Sequence, residues 1–256
     1  MKSELTSVKH EHEQWDYLFK LENKKNHNKL YSSYWWQEYY GQIARTVSQY
    51  ISPSSKILEA GCGSGKASIV LGEALDITLL DISAEALKFA DLIARRFGSS
   101  KVKFQEGDIF NLPFKDMEFD FVWNVGVIEH YETQQAIQIV ANMINATKKG
   151  GHIAVGVPNF KSPQIIKAKL INRKYLSWVP GYKLDTEISY TEKDLHSLVR
   201  MASIHAKRGV TNATIYRVGS PLPVESPKFV VKSFGKPLSK LMPERKFLYL
   251  IIASIE

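Results

Sequence analysis

One cysteine, Cys62, stands in 256 residues. A lone thiol excludes an internal disulfide framework and a zinc site assembled from several thiolates, and it fits a reducing, cytoplasmic setting. Long apolar runs are missing too. The longest, Phe247 to Ser254, falls far short of the roughly 20 residues that span a bilayer, so it reads as a buried strand. Met1 to Asp16 is polar and charged, without the apolar stretch of a secretion signal, so the protein is expected to stay where it is made. There is no internal repeat and no low-complexity segment. His10, His12 and His27 lie in a polar leader without ordered ligand spacing, so no metal site is expected from them. Acidic residues are outnumbered by basic ones, 26 to 34, for a formal net charge of +8. That excess steers anionic partners and leaves nucleic acid, anionic lipid and acidic small molecules open; solubility alone is the plainer explanation.

What is present is the composition of a soluble globular domain with a modest extension, 44% apolar and 23% charged. From about Ser55, β-rich runs alternate with helical periodicity, the pattern of βαβ units feeding a parallel sheet. Strands are predicted at Lys56–Ala60, Ile77–Leu80, Val102–Gln105, Phe119–Asn124 and His152–Val157. Leu87, Ala90, Ala94 and Phe97, and again Ile137, Val140, Ala141 and Ile144, recur at helical spacing and predict two amphipathic helices on the sheet. The second is expected to end at Lys148-Lys149-Gly150-Gly151, with cations at the negative helix end and a glycine for a left-handed cap. Thr191 to Lys207 reads as a helix, and Val210 to Val218 and Phe247 to Ser254 read as strands.

The most informative stretch is Ile57-Leu58-Glu59-Ala60-Gly61-Cys62-Gly63-Ser64-Gly65-Lys66, a strand running into three glycines and a helical pattern from near Ala67. Glycine at alternate positions lets backbone turn tightly and approach a ligand at the positive end of a helix, which implies a nucleotide-like ligand. A phosphate-binding P-loop fails twice, because Ala60 stands at its first glycine and Ala67 at its magnesium-binding hydroxyl. A dinucleotide fingerprint wants its third glycine five residues after the first, whereas Gly65 follows Gly61 by four.

Glu59, Gly61, Gly63 and Gly65 instead form Glu-x-Gly-x-Gly-x-Gly, which resembles the first motif of class I S-adenosylmethionine-dependent methyltransferases. Further motifs follow in the order that family shows. Asp81 closes the second strand, where the resemblance implies an acceptor for both ribose hydroxyls, and Ile82 would lie on the adenine. Gly107-Asp108-Ile109 resembles the third site, in which the aspartate accepts from the adenine amino group and the next amide reaches the ring. Phe119 to Asn124, then Val125 to Tyr131, resemble the fourth motif, and Lys149 to Ile153 the opening of the fifth strand. The Ile128-Glu129-His130 triplet is similar to a loop in small-molecule enzymes of this family, quinone-type enzymes among them. The resemblance covers roughly Ser55 to Pro158, with a weaker match to Glu256.

It implies a Rossmann-like, doubly wound α/β fold, with seven mostly parallel strands and an antiparallel last strand. It also implies S-adenosyl-L-methionine as cofactor and S-adenosyl-L-homocysteine as product. The cofactor residues it implies are Glu59, Gly61, Cys62, Gly63, Gly65, Asp81, Ile82, Asp108, Ile109 and Asn124. His130 is the candidate general base, Glu129 could orient it or hold substrate, and packing of the next helix is the alternative role for His130. The expected acceptor is a small molecule, a lipid-like quinone or a protein side chain, with a small or amphiphilic molecule the first choice, because the Asn/Asp-Pro-Pro-Tyr of many nucleic-acid enzymes is replaced by Asn124-Val125-Gly126-Val127.

Outside this core, residues 1–50 predict a helical cap of one or two helices over the sheet edge, with aromatics Tyr31, Tyr34, Trp35, Trp36, Tyr39 and Tyr40. Residues 51–256 predict the catalytic domain, with a lid insertion at about 158–190. Its uncompensated Lys161, Lys167, Lys169, Arg173, Lys174 and Lys183 leave two alternatives standing, an RNA methyltransferase and a non-catalytic cofactor sensor.

Overall fold

Neighbouring residues of the central strands are buried on opposite faces, the mark of a sheet covered by helices on both sides. A computed structural model describes residues 12–21, 33–73, 75–97, 101–171 and 187–256. In β1 (Lys56–Ala60), Ile57 and Leu58 are fully buried in different layers. So are Leu79 and Leu80 of β2 (Asp76–Asp81), and Phe121 and Val122 of β4 (Phe119–Val125). Ala154 and Val155 of β5 (Thr147–Pro158) and Ile252 and Ile251 of β7 (Leu248–Ile255) repeat the pattern. The edge strands β3 (Val102–Glu106) and β6 (Val210–Val218) are more exposed.

The seven strands lie in the order β3-β2-β1-β4-β5-β7-β6. β1 to β5 pair in parallel, and β7 runs antiparallel to both β5 and β6. This is the doubly wound sheet with an antiparallel last strand that the motifs imply. The chain order reverses between β1 and β4, and a sheet of this kind opens a ligand crevice beyond the carboxyl ends of the strands at that point.

One layer holds α5 (Thr133–Ala146) and α7 (Glu192–Ala206), the other α2 (Tyr34–Val47), the one-turn α3 (Lys66–Ile69) and α4 (Ala84–Arg96). Their starts are specified locally. Ser83 Oγ accepts from Ala86 N–H at the head of α4, and Glu132 with Gln135, and Thr191 with Asp194, form capping boxes on α5 and α7. Leu87, Ala90 and Ala94, and Ile137, Val140, Ala141 and Ile144, are buried as the periodicity predicts, while Phe97 stays exposed at the end of α4. Two further helices, α6 (Pro163–Ile171) and α8 (Lys228–Leu241), have no counterpart in the sequence reading, and residues 12–21 form α1. Among the described residues no helix is long and apolar enough to cross a membrane.

Two expectations are corrected. The aromatic leader packs on a face of the sheet: Trp35, Tyr39, Ile43 and Val47, four apart, share a core with Ile57, Trp123 and Ile252. Tyr31 lies outside the described residues. Second, Lys148 to Gly151 does not cap α5, which stops at Ala146, because Thr147 already pairs with Phe119 as the first residue of β5. Lys148 instead reaches Asp120 at 2.6 Å. The cation at the α5 terminus is Arg208, whose Nη1 donates to the carbonyls of Ile144, Asn145 and Thr147.

The turn after β1 admits no side chain at Gly65. Its φ is +62°, and a Cβ there would overlap Leu79 Cδ1 and touch Ala90. Gly65→Ala is therefore expected to destabilise the protein by about 2–5 kcal/mol, combining overpacking of about 1–3 with a left-handed backbone cost of about 1–2. An unchanged urea midpoint would show that the turn has room.

Candidate functional site

At the crevice, Gly61 and Cys62 both donate backbone N–H to Leu80 O, at 2.8 and 2.9 Å, so the glycine turn is pinned to the end of β2. Asp81 sits where they meet. Its Oδ2 accepts from Gly63 N–H at 2.8 Å and its Oδ1 from Ser83 N–H at 3.0 Å, leaving lone pairs on each oxygen for a ligand. Burial lifts its carboxyl above the ordinary range, against backbone N–H groups of Ser83, Gly63 and Ile82 that pull it down. Asp108 makes a similar local turn, Oδ1 accepting from Phe110 N–H at 2.8 Å.

These parts enclose a cleft of about 230 Å³. Gly61, Cys62, Gly63, Asp81, Ile82, Asp108 and Ile109 line it, with the β4 loop from Val125 to Val127 and His130 opposite. Seven of the ten residues that the motifs imply for a cofactor thus meet in one place. Gly65 serves the packing of the turn. Strand parity sends the other two elsewhere: Asn124, fully buried, points like Val122 toward α5, its Nδ2 3.3 Å from Met143 Sδ. Glu59 shares the face of Ile57 and accepts from Ser68 N–H at 3.3 Å.

The reading from sequence missed the roof. Trp15 and Phe19 of α1, four residues apart on one helical face, close the cleft from above. Trp15 meets His130 edge to face at 5.4 Å, and Phe19 packs on Phe89. Asp16, between them, accepts from Ser83 Oγ at 2.6 Å and so ties the helix to the head of α4. His12 pairs with Asp16 at 3.8 Å, while His10 and His27 lie outside the described residues. Among the described residues no cluster could hold a metal ion.

A second cavity, of about 600 Å³, opens on the α2 side and shares Cys62, Ser64, Val125, Gly126 and His130 with the cleft. Trp36, Tyr39 and Tyr40 of α2 form one wall, and Glu59 and Glu129 are buried in it. Desolvation by burial pushes both carboxyls up to about 8. Ser68 offsets part of this at Glu59, and the nearby Glu187 adds to it at Glu129. Of the insertion, Gln164 of α6 lines this cavity and Ile188 N–H donates to Glu129 O at 2.7 Å. One of its charges is compensated, Lys167 pairing with Glu225 at 2.6 Å, while Lys169 lies over the Phe160 ring. Arg173, Lys174 and Lys183 lie outside the described residues.

A methyltransferase-domain family model matches residues 51–207. Norajmaline N-methyltransferase of Rauvolfia serpentina is 32% identical over 120 residues, 44% of this chain and 40% of that protein. Chloroplastic tocopherol O-methyltransferase of Arabidopsis thaliana is 30% identical over 105 residues, 39% of this chain and 29% of that protein. The match thus spans less than half the length of either relative. Among solved structures, the PH0226 protein of Pyrococcus horikoshii OT3 superposes with a TM-score of 0.61 at 16% identity, over 93% of this chain and 99% of that one, a likeness of fold.

Proposed function

The chain belongs to the methyltransferase-domain family, of the class I S-adenosylmethionine-dependent kind, and from that membership we propose that it methylates a small-molecule acceptor held in the larger cavity. The observation that carries this reading is the shared wall: Cys62, Ser64, Val125, Gly126 and His130 border both spaces, so a ligand in one abuts a ligand in the other.

The residues of the cleft fit the adenosine half of the cofactor. Asp81, buried with lone pairs left over, suits two ribose hydroxyls; Ile82 and Ile109 offer apolar faces to a flat ring; Asp108 suits an amino donor. When bound, S-adenosylmethionine supplies a methyl group already activated on a sulfonium, so the protein's main task is alignment. Holding two reactants in line is worth roughly 7–11 kcal/mol in favourable intramolecular cases. His130, on the shared wall, is the group placed to take a proton from the acceptor. In this reading α1 is a cap over the cofactor, and the described residues of the insertion border the acceptor, Gln164 on the cavity wall and Ile188 on the backbone of Glu129. The pairing of Lys167 with Glu225 favours that role over an RNA surface, a cavity as large as the second one favours an enzyme over a sensor, and the buried Cys62 thiol suits a cytoplasmic setting.

Calorimetry of the purified protein is expected to show S-adenosylhomocysteine binding and no appreciable binding of NAD or ATP. Tight NAD binding with no response to S-adenosylhomocysteine would remove the proposal.

A further inference from the structure

We propose that the acceptor is an amine, taken up as its ammonium ion and selected by Glu129; this rests on the methyltransferase reading above and adds the substrate class. The lining of the larger cavity differs from the surface of the molecule. Although the chain carries a formal net charge of +8, the ionisable residues lining this cavity include the carboxyls of Glu59, Glu129 and Glu225, with no lysine or arginine among the described ones. Glu225 is paired with Lys167, and burial holds Glu59 and Glu129 protonated near neutrality, so an anionic acceptor would find no cationic side chain on this lining, whereas a cation would find buried carboxyls able to give up a proton to it.

Glu129 is the focus of that lining. The residue is 2% exposed, on the turn Ile128–His130, and its Oε2 finds no hydrogen-bond partner among the described residues. A buried polar atom left unpaired is costly, which points to a donor that the ligand supplies. The wall opposite is built of Trp36, Tyr39 and Tyr40, and aromatic faces attract ammonium groups. That wall already holds one such group, since Lys66 Nζ of α3 lies 4.7 Å from the Tyr40 ring centre.

The chemistry agrees with the placement. The ammonium gives its proton to the His130 imidazole, the freed lone pair forms the nitrogen–carbon bond, and the sulfur–carbon bond breaks with its electron pair passing to sulfur. Positive charge therefore leaves sulfur and arrives on nitrogen, where the Glu129 carboxylate stabilises it. With the site empty, burial keeps Glu129 mostly protonated near neutrality. Around it stand Glu187, Tyr39, Tyr190, Glu59 and His130. None of these brings a fixed positive charge, so an entering ammonium ion is what drives the proton off Glu129. Amine binding below about pH 8 should accordingly release a proton, and affinity should rise as pH increases toward that value.

The test titrates protein saturated with S-adenosylhomocysteine with 2-phenylethylamine and tryptamine, and with the alcohols of the same skeletons, 2-phenylethanol and tryptophol. The amines are expected to bind at least about tenfold tighter at pH 8, roughly one strong charge-assisted interaction. At pH 7 their binding heat should vary with the ionisation enthalpy of the buffer. Glu129→Gln, shown to be folded by its retained S-adenosylhomocysteine binding, should lose the preference, and Glu129→Asp should keep part of it. Equal affinity for the alcohols, no measurable amine binding, or an intact preference in Glu129→Gln overturns the proposal and leaves the methyltransferase reading standing. Failure of S-adenosylhomocysteine itself to bind would overturn that reading instead.

Discussion

Asp81→Ala is expected to weaken S-adenosylhomocysteine binding by about a hundredfold to ten-thousandfold, from two charge-assisted hydrogen bonds at about 1.5–3 kcal/mol each. The position magnifies the loss. Asp81 is buried, and each oxygen already serves the protein through Gly63 or Ser83 N–H. Removing the carboxylate therefore also frees the glycine turn, and part of the deficit would come from a reshaped floor. Asp81→Asn separates the two contributions, because one side-chain oxygen still holds one N–H while the amide opposes the other. An intermediate loss of affinity, with a melting temperature close to that of the parent, is the expected result for that variant. An unchanged dissociation constant in a folded Asp81→Ala protein would mean that the ligand lies elsewhere in the cleft.

That so much of this cleft was legible in the sequence follows from how local its determinants are. A glycine turn, a strand-end aspartate and the alternation of buried residues each depend on a few neighbours along the chain, and β1, the helix around Leu87 to Ala94 and the helix expected from Thr191 to Lys207 fall where such patterns put them. Strand parity is legible as well: Asn124 is two residues from Val122, and Glu59 two from Ile57, so neither faces the cleft floor. What local pattern does not carry is approach from a distance. Trp15 reaches His130 across more than a hundred residues, Arg208 replaces Lys148 at the end of α5 from after α7, and Lys167 finds Glu225 beyond it. Each is a contact that the fold creates, with a sequence signal no stronger than that of any surface side chain.

The same distinction separates the net charge of the chain from the chemistry of its larger cavity. The excess of lysine and arginine is a property of the whole surface, where solvent and salt screen it. Glu59 and Glu129 lie in a low-dielectric cavity, where burial raises both carboxyls to about 8 and a cation entering beside them is screened far less than at the surface.

His130→Ala should lower turnover by about 10²–10⁴-fold, the usual cost of removing a general base, with much less effect on S-adenosylhomocysteine affinity. The imidazole borders both cavities, and Trp15 packs on its ring from the side of the smaller cleft, so the proposed function gives it the task of taking a proton from the acceptor. The pH profile distinguishes this role from packing. An alkylamine is almost wholly protonated near neutrality, so without His130 the variant depends on the small fraction that reaches the site already neutral. That fraction grows tenfold per pH unit below the amine's own pKa, close to that of lysine at about 10.4. The deficit of the alanine variant should therefore shrink steadily as pH rises, whereas a loss caused by misplaced helix α5 would persist at every pH. Turnover near the parental rate, accompanied by a lower melting temperature, would assign His130 to holding the β4 loop against α5 and leave the proton to solvent.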